Sequence, residues 1–323
     1  MGKKRDFLSL WDVTEAEFAA LIRRAEELRF LRQVRTPHAT RPGSVLALIF
    51  EKASTRTRVS FEAAIWELGG HAVVIGRNDS QLGRGEPIKD TARVMSRYCH
   101  GIMVRTFGHE RVKELAEYAS VPVINGLTDL LHPCQVLADL QTVYAHFVEG
   151  EGKTSAGAVP DVVQVLRSRR YAWVGDGNNM ANTWIEAAGL LGLDLMLACP
   201  DGYQPNPEVL QTARRDGHGR IQLVRDPREA VAGRHVISTD VFASMGKEEE
   251  VEARKRAFVG YGVDRALMAE ADGKAIFLHC LPAHRGEEVS DEVIESSASQ
   301  VWQEAENRLH SQKALLEWLL GMR

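Results

Sequence analysis

The chain has 323 residues, room for two domains of about 150 residues each and enough to bury a core without disulfide or metal staples. Apolar residues at 44%, aromatics at 7% and charged residues at 26% are ordinary globular values, which exclude a disordered, collagen-like or coiled-coil chain. A formal charge of −4 excludes a broad basic surface for nucleic acid, though not a local cluster of arginines.

In chain order, Thr14 and Glu17 form a capping box ahead of a helix that runs to about Arg32. VLALIF (Val45–Phe50) is a continuous apolar run of strand length, the pattern of a strand buried on both faces. A helix from about Thr57 to Leu68 follows, closed by Gly69 and Gly70. HAVVIG, PIKDTARVMSRY, GIMVRT, HERVKELAEYA, VPVIN and a helix from Gln135 to Phe147 then alternate strand and helix. Four strands, each followed by a helix, predict a parallel, helix-covered sheet. Residues 148–169 break the alternation, starting Gly-rich and polar, and read as an inter-domain segment or insertion. After them YAWVG, LMLACP, IQLVR, HVISTD and IFLHCL read as strands with helices between, before a last helix from about Glu304 to Met322. The expectation is an α/β chain of two domains, each an open, mainly parallel sheet, with boundaries at 1–147 and 148–303 and a C-terminal helix, 304–323, returning to the first domain.

Cys99, Cys134, Cys199 and Cys280 stand far apart, with no CxxC pair, which speaks against a disulfide framework or structural zinc and fits a reducing cytoplasm. The basic N-terminal stretch lacks the apolar run of a signal peptide, and no window approaches the roughly 20 apolar residues of a membrane span. Neither a membrane nor nucleic acid is an expected partner.

Open α/β sheets bind ligands at the carboxyl ends of their strands, and the polar motifs gather there. After Phe50, the turn Ser54-Thr55-Arg56-Thr57 offers hydroxyls, a guanidinium and the free N–H groups of a helix start, a set that matches phosphate oxygens. The plain alternative is an ordinary helix cap, which needs one hydroxyl only. Arg105 ends the strand GIMVRT, where a salt bridge is the alternative. His132 and Gln135 flank Pro133 at a helix start, and His132 can equally be a satisfied half-buried imidazole. Asp240 stands at the tip of HVISTD, placed to hold an amine or to cap the next helix. Cys280 follows a strand and is either a site residue or a small buried hydrophobe. Two nucleotide motifs are decoys. Gly175-Asp176-Gly177 has Met180 where a dinucleotide fingerprint needs its third glycine, and GEGKT at 150–154 follows a helix, with Phe147 in place of the first P-loop glycine.

With STRTR, HPCQ, SMG and HCLP in this order, the chain resembles the ornithine carbamoyltransferases nearly end to end. The resemblance implies transfer of the carbamoyl group from carbamoyl phosphate to ornithine, giving citrulline and phosphate, in a homotrimer or a multiple of trimers, without metal or cofactor. It implies that Ser54, Thr55, Arg56 and Thr57 hold carbamoyl phosphate, with Arg105, His132 and Gln135 on its carbonyl and phosphate oxygens. Gln81 would enter from a neighbouring subunit, and Cys280, Leu281 and Arg308 would complete the pocket. Asn179, Asp240, Ser244 and Met245 match ornithine contacts, while Arg105, His132, Asp240 and Cys280 carry the chemistry. Aspartate carbamoyltransferases carry a proline at the cysteine position of HCLP. Putrescine and acetylornithine enzymes differ at DVFASMG, so the choice of ornithine rests on residues 240–246. Phe242, Ala53 and the long segment at 149–168 depart from the family pattern.

Overall fold

A computed structural model describes residues 4–77, 85–150, 160–242 and 251–321. The chain separates into two compact units, Met1–Gln141 with Glu306–Arg323, and Thr142–Ala305. The division falls inside a helix, upstream of the boundary expected at residue 147.

The first unit contains α1 (Glu15–Gln33), β1 (Val45–Phe50), α2 (Thr55–Glu67), β2 (His71–Gly76), α3 (Ile88–Tyr98), β3 (Gly101–Arg105), α4 (His109–Tyr118), β4 (Val123–Leu127) and the first turns of α5 (Pro133–Gly150). The capping box forms: Glu17 N–H donates to Thr14 Oγ1 at 3.2 Å and Thr14 N–H to Glu17 Oε2 at 2.9 Å. The four strands are all parallel, in the order β2-β1-β3-β4. β1 lies in the interior of the sheet, and its apolar run is buried from Leu46 to Phe50. β2 is an edge strand, and its Val73 is exposed.

The second unit continues with α6 (Val162–Arg167), β5 (Arg170–Val174), α7 (Asn179–Leu191), β6 (Asp194–Ala198), α8 (Pro207–Asp216), β7 (Arg220–Val224), α9 (Pro227–Val231), β8 (Val236–Thr239), α10 (Val251–Ala257), α11 (Arg265–Met268), β9 (Ile276–His279) and α12 (Asp291–Ile294). Its five strands are parallel in the order β7-β6-β5-β8-β9. The last helix, α13 (Val301–Leu320), packs its far end on the first unit: Lys313 reaches Glu67 at 2.7 Å and Arg24 reaches Glu317 at 2.6 Å.

The expected break at 148–169 is shorter than the composition suggests. α5 runs on to Gly150, and α6 forms within the segment because Asp161 caps it and Val162, Val163 and Leu166 share a buried face. A six-residue helix, four of whose residues are apolar and three of them buried, is too short to show a period in sequence. Among the described residues, no helix is long and apolar enough to cross a membrane.

Both sheets place their ligand-binding crevice by topology. In the first, the chain moves outward from β1 to β2 and then returns to the other side of β1 as β3. In the second, it runs outward from β5 to β7 and returns beside β5 as β8. Such reversals leave a gap between the loops that follow the two central strands. Those loops begin at Glu51 and Thr106 in the first unit, and at Gly175 and Asp240 in the second.

Candidate active site

In the first unit, α2 starts where it does because Ser54 is its N-cap: the hydroxyl accepts the Thr57 N–H at 3.3 Å. The plain alternative for Ser54 is therefore met, but the cap uses only that hydroxyl. Thr55 and Arg56 stand exposed on the first turn, beside the positive end of the helix. Thr57 points inward, 1% exposed, and its Oγ1 accepts hydrogen bonds from Arg105 Nη1 and Arg308 Nη2, both at 3.2 Å. Arg308 Nη1 also donates to Gln135 Oε1 at 2.5 Å, and Gln135 Nε2 donates to Asp139 Oδ1 at 2.8 Å. The turn after β1, the end of β3, the start of α5 and α13 thus converge on one group of side chains.

His132 immediately precedes α5 and is 4% exposed. Burial first, and then the positive charges of Arg308 and Arg105, hold its imidazole well below the ordinary histidine range. It is therefore neutral at pH 7 and can donate one ring N–H without carrying charge. Cys134, from the same HPCQ stretch, is an inert core residue: its Sγ donates to the Asn125 carbonyl at 3.4 Å, and burial pushes its thiol up to about 12. Lys52 was not among the predicted residues. Its chain is nearly covered, its ammonium pairs with Asp129 and it lies 4.4 Å from the centre of the Phe107 ring. Its place in the loop after β1, two residues before Ser54, is the signal that sequence reasoning passed over.

In the second unit, the GDGNN stretch is shaped by close packing. Gly175 has φ +132°, and a Cβ on Gly177 would lie 2.2 Å from the Gln204–Pro205 backbone. Asn178 caps α7, with Oδ1 accepting the Met180 and Ala181 N–H groups, which leaves Nδ2 to donate to Asp240 Oδ2 at 2.8 Å. Asp240 lies at the tip of β8, 8% exposed; its Oδ1 accepts from Val241 N–H at 2.8 Å and from Cys280 Sγ at 3.2 Å. Among the described residues it caps no helix. Cys280 is half-buried and tied to Asp240, which separates it from the small-hydrophobe alternative. Asn178, not named from the sequence, is the second side chain on Asp240, while Asn179 opens α7 half-buried. Leu281 has φ +56° and lies against the hydrophobic core of this unit.

Asp240, His279 and Cys280 bring ligand-type atoms within 4.8 Å of one another. Both His279 nitrogens are already engaged: Leu281 N–H donates to Nδ1 at 2.9 Å, and Nε2 meets Glu288 Oε1 at 3.1 Å. The imidazole therefore serves the turn after β9. Gln81, Ser244 and Met245 lie outside the described residues. Ala53 is exposed, and Phe242 stacks on Phe258 with ring centres 4.5 Å apart.

Residues 5–145 match the family model for the carbamoyl-P binding domain of aspartate/ornithine carbamoyltransferase, and residues 167–319 match the model for its Asp/Orn binding domain. The chain is 55% identical to an ornithine carbamoyltransferase of Pelobacter propionicus over 98% of its own length and 99% of the relative's. It is 50% identical to the anabolic ornithine carbamoyltransferase of Pseudomonas aeruginosa, covering 98% of this chain and 97% of that one. Among solved structures, the ornithine carbamoyltransferase of Pyrococcus furiosus superposes with a TM-score of 0.90 at 44% identity, covering 99% of this chain and 98% of that one. Two family models that together span most of the chain, on a fold that carries both motif sets at its crevices, show that it belongs to the aspartate/ornithine carbamoyltransferase family.

Proposed function

We propose that this protein transfers the carbamoyl group of carbamoyl phosphate to the δ-amine of L-ornithine, giving L-citrulline and phosphate, in the cytoplasm and in the biosynthetic direction. The observation that carries the carbamoyl phosphate half is the convergence of Arg105 and Arg308 on Thr57, one turn into a helix whose start is open to an anion. Full-length identity to proteins named ornithine carbamoyltransferase supports the choice of amine, and the anabolic relative supports the direction. Residues 1–147 and 304–323 would handle carbamoyl phosphate, and 148–303 ornithine.

In this reading Thr55, Arg56 and the first N–H groups of α2 neutralise the leaving phosphate, with the Ser54 hydroxyl still able to donate. Arg105, the neutral His132 and Thr57 donate to the carbonyl oxygen, which becomes an oxyanion as the amine adds. Removing one such preorganised donor costs about 3–4 kcal/mol of transition-state stabilisation. An alkyl amine has a pKa near 10, so only about one molecule in a thousand is nucleophilic at neutral pH. Asp240, held by Asn178 and Cys280, accepts from the amino-acid amine and orients it, and the departing phosphate takes the proton. No covalent enzyme intermediate is needed, so Cys280 positions and does not attack. Arg308, Gln135 and Leu281 border the carbamoyl phosphate, and Asn179, Ser244 and Met245 the ornithine.

We infer a homotrimer or a multiple of trimers in which Gln81 completes a neighbouring site. Apolar side chains on the elements around segment 78–84 support it: Val59 and Trp66 of α2, Val73 of edge strand β2, and Val94 and Tyr98 of α3 are all exposed. The reading is tested by the initial rate of amine-dependent phosphate release from carbamoyl phosphate with each amine, with citrulline identified as the product from ornithine. Ornithine should give a higher kcat/KM than putrescine, which lacks the carboxylate, and than N-acetylornithine, whose α-amine carries no charge. A higher value with either competitor overturns the choice of ornithine, and no carbamoyl transfer to any of the three overturns the reaction.

A further inference from the structure

The motif HCLPAHRGEE continues past Cys280 into a tight turn that the reaction does not use. Gly286, at φ +88°, lets the chain reverse: Gly286 N–H donates to the Val289 carbonyl at 2.8 Å and Glu287 N–H to the His284 carbonyl at 2.9 Å. The reversal brings His284, Glu287 and Glu288 to one side, with one ligand-type atom of each within 4.8 Å of the others. Glu288 is the unusual member, because its side chain is fully buried. Its Oε1 is spoken for, accepting from the His284 N–H at 2.6 Å and meeting His279 Nε2 at 3.1 Å. Its Oε2 is buried and makes no hydrogen bond among the described residues; it faces His284 Nδ1 at 4.0 Å. Glu287 Oε2 approaches the same Nδ1 at 3.9 Å. Both separations are too long for hydrogen bonds. Arg285, the cation within the turn, is directed to Asp291 and Glu295.

A buried carboxylate oxygen with no donor is costly unless something positive meets it. We propose that residues 284–288 form a divalent-cation site, with His284 Nδ1, Glu287 Oε2 and Glu288 Oε2 as ligands to an ion such as Zn2+ or Mn2+. One imidazole and two carboxylates suit such ions in donor type, and their two negative charges balance the ion's two positive ones. Ligand atoms around a tetrahedral ion at roughly 2.1 Å lie about 3.4 Å apart, so the separations of 3.9 and 4.0 Å from His284 Nδ1 to the two glutamates each have about half an ångström to close. His284 and Glu287 are half-exposed and free to rotate that far, whereas Glu288 is fixed and acts as the anchor. The remaining coordination positions face solvent, on the side of the two exposed ligands.

The test uses the full-length protein and Mn2+, with free ion followed by electron paramagnetic resonance at pH 7.5. Wild type should bind one Mn2+. His284→Ala and Glu287→Gln, both surface changes that should keep the fold by circular dichroism, should each weaken binding at least about tenfold, since even outer-shell changes at metal sites cost that much. Cys280→Ser should bind as wild type does, which separates this site from the Asp240, His279 and Cys280 group. The proposal is overturned if wild type binds no Mn2+ at millimolar concentration, if either turn variant keeps wild-type affinity, or if Cys280→Ser abolishes binding.

Discussion

His132 shows how one residue takes its chemical state from its neighbours. Its place before α5 comes from Pro133, but its neutrality comes from burial and from the guanidiniums of Arg308 and Arg105. A neutral ring donates to a carbonyl oxygen without competing for the proton of the amine. His132→Gln should therefore lower kcat by about a hundredfold or more, with a smaller effect on KM, read from initial rates of citrulline formation. The same residue should mark the acid side of the stability curve. Native His132 resists protonation, whereas the unfolded chain takes up the proton near pH 6.5. Its contribution is therefore fully present above about pH 6.5 and is lost as pH falls from there toward the depressed native value. Urea unfolding at a series of pH values should show a shallower acid decline for His132→Gln than for wild type. An equal decline in both would mean that the imidazole is not held neutral. Asp240 makes the complementary point: a carboxylate at a strand tip commonly caps the next helix, but here Asn178 and Cys280 occupy it.

At the scale of elements, α13 shows why a C-terminal helix belongs to an N-terminal unit. Arg308 reaches Thr57 near the start of α2, and Lys313 reaches Glu67 at its last residue. Lys313 is fully buried, and burial lowers its pKa, opposed by the hydrogen bond and charge of Glu67. Burial likewise works against ionised Glu67, but the hydrogen bonds from Lys313 and Arg32 prevail and its pKa falls. Glu67→Gln leaves a buried ammonium with His38 Nε2, at 3.0 Å, as its close partner. Removing one member of a buried pair typically costs about 3–5 kcal/mol, and a loss of about 3 kcal/mol is expected in urea unfolding. A loss below about 1 kcal/mol would show that the pair behaves as an exposed one. The α6 segment carries the opposite lesson, since a short helix with a good cap can form inside a stretch whose composition reads as linker.

For the whole molecule, the proposed trimer makes the active site a shared property. In a cyclic trimer each contact is head-to-tail, so each subunit would lend its Gln81 to one neighbour and borrow from the other. Gln81→Ala and Asp240→Asn should each be strongly impaired as pure assemblies. In a hybrid, a Gln81→Ala subunit keeps its own Asp240 and can receive an intact Gln81 from an Asp240→Asn neighbour. Co-expression should therefore restore a fraction of wild-type activity. If mass spectrometry shows hybrids that are no more active than the parents, Gln81 serves its own subunit.

Strand and helix order is legible along the chain because buried parallel strands are continuous apolar runs, as Val45–Phe50 is, and because caps such as Thr14 and Ser54 act within three residues of themselves. The same local signals place the polar motifs at strand ends, and the motif order carries the family resemblance. Pairing is a different matter. Thr57 meets Arg105 and Arg308, 48 and 251 residues away in sequence, and Asp240 meets Asn178 and Cys280, 62 and 40 residues away. Strand order, which opens the two crevices, also depends on which side of β1 and β5 the returning strand takes. Whether a hydroxyl caps or binds, whether a histidine is charged, and whether a glutamate oxygen is left without a donor all depend on neighbours that only the packed chain brings within reach. A side chain's protonation and hydrogen bonding are set by contacts and burial in three dimensions, and those couple segments that share no local signal.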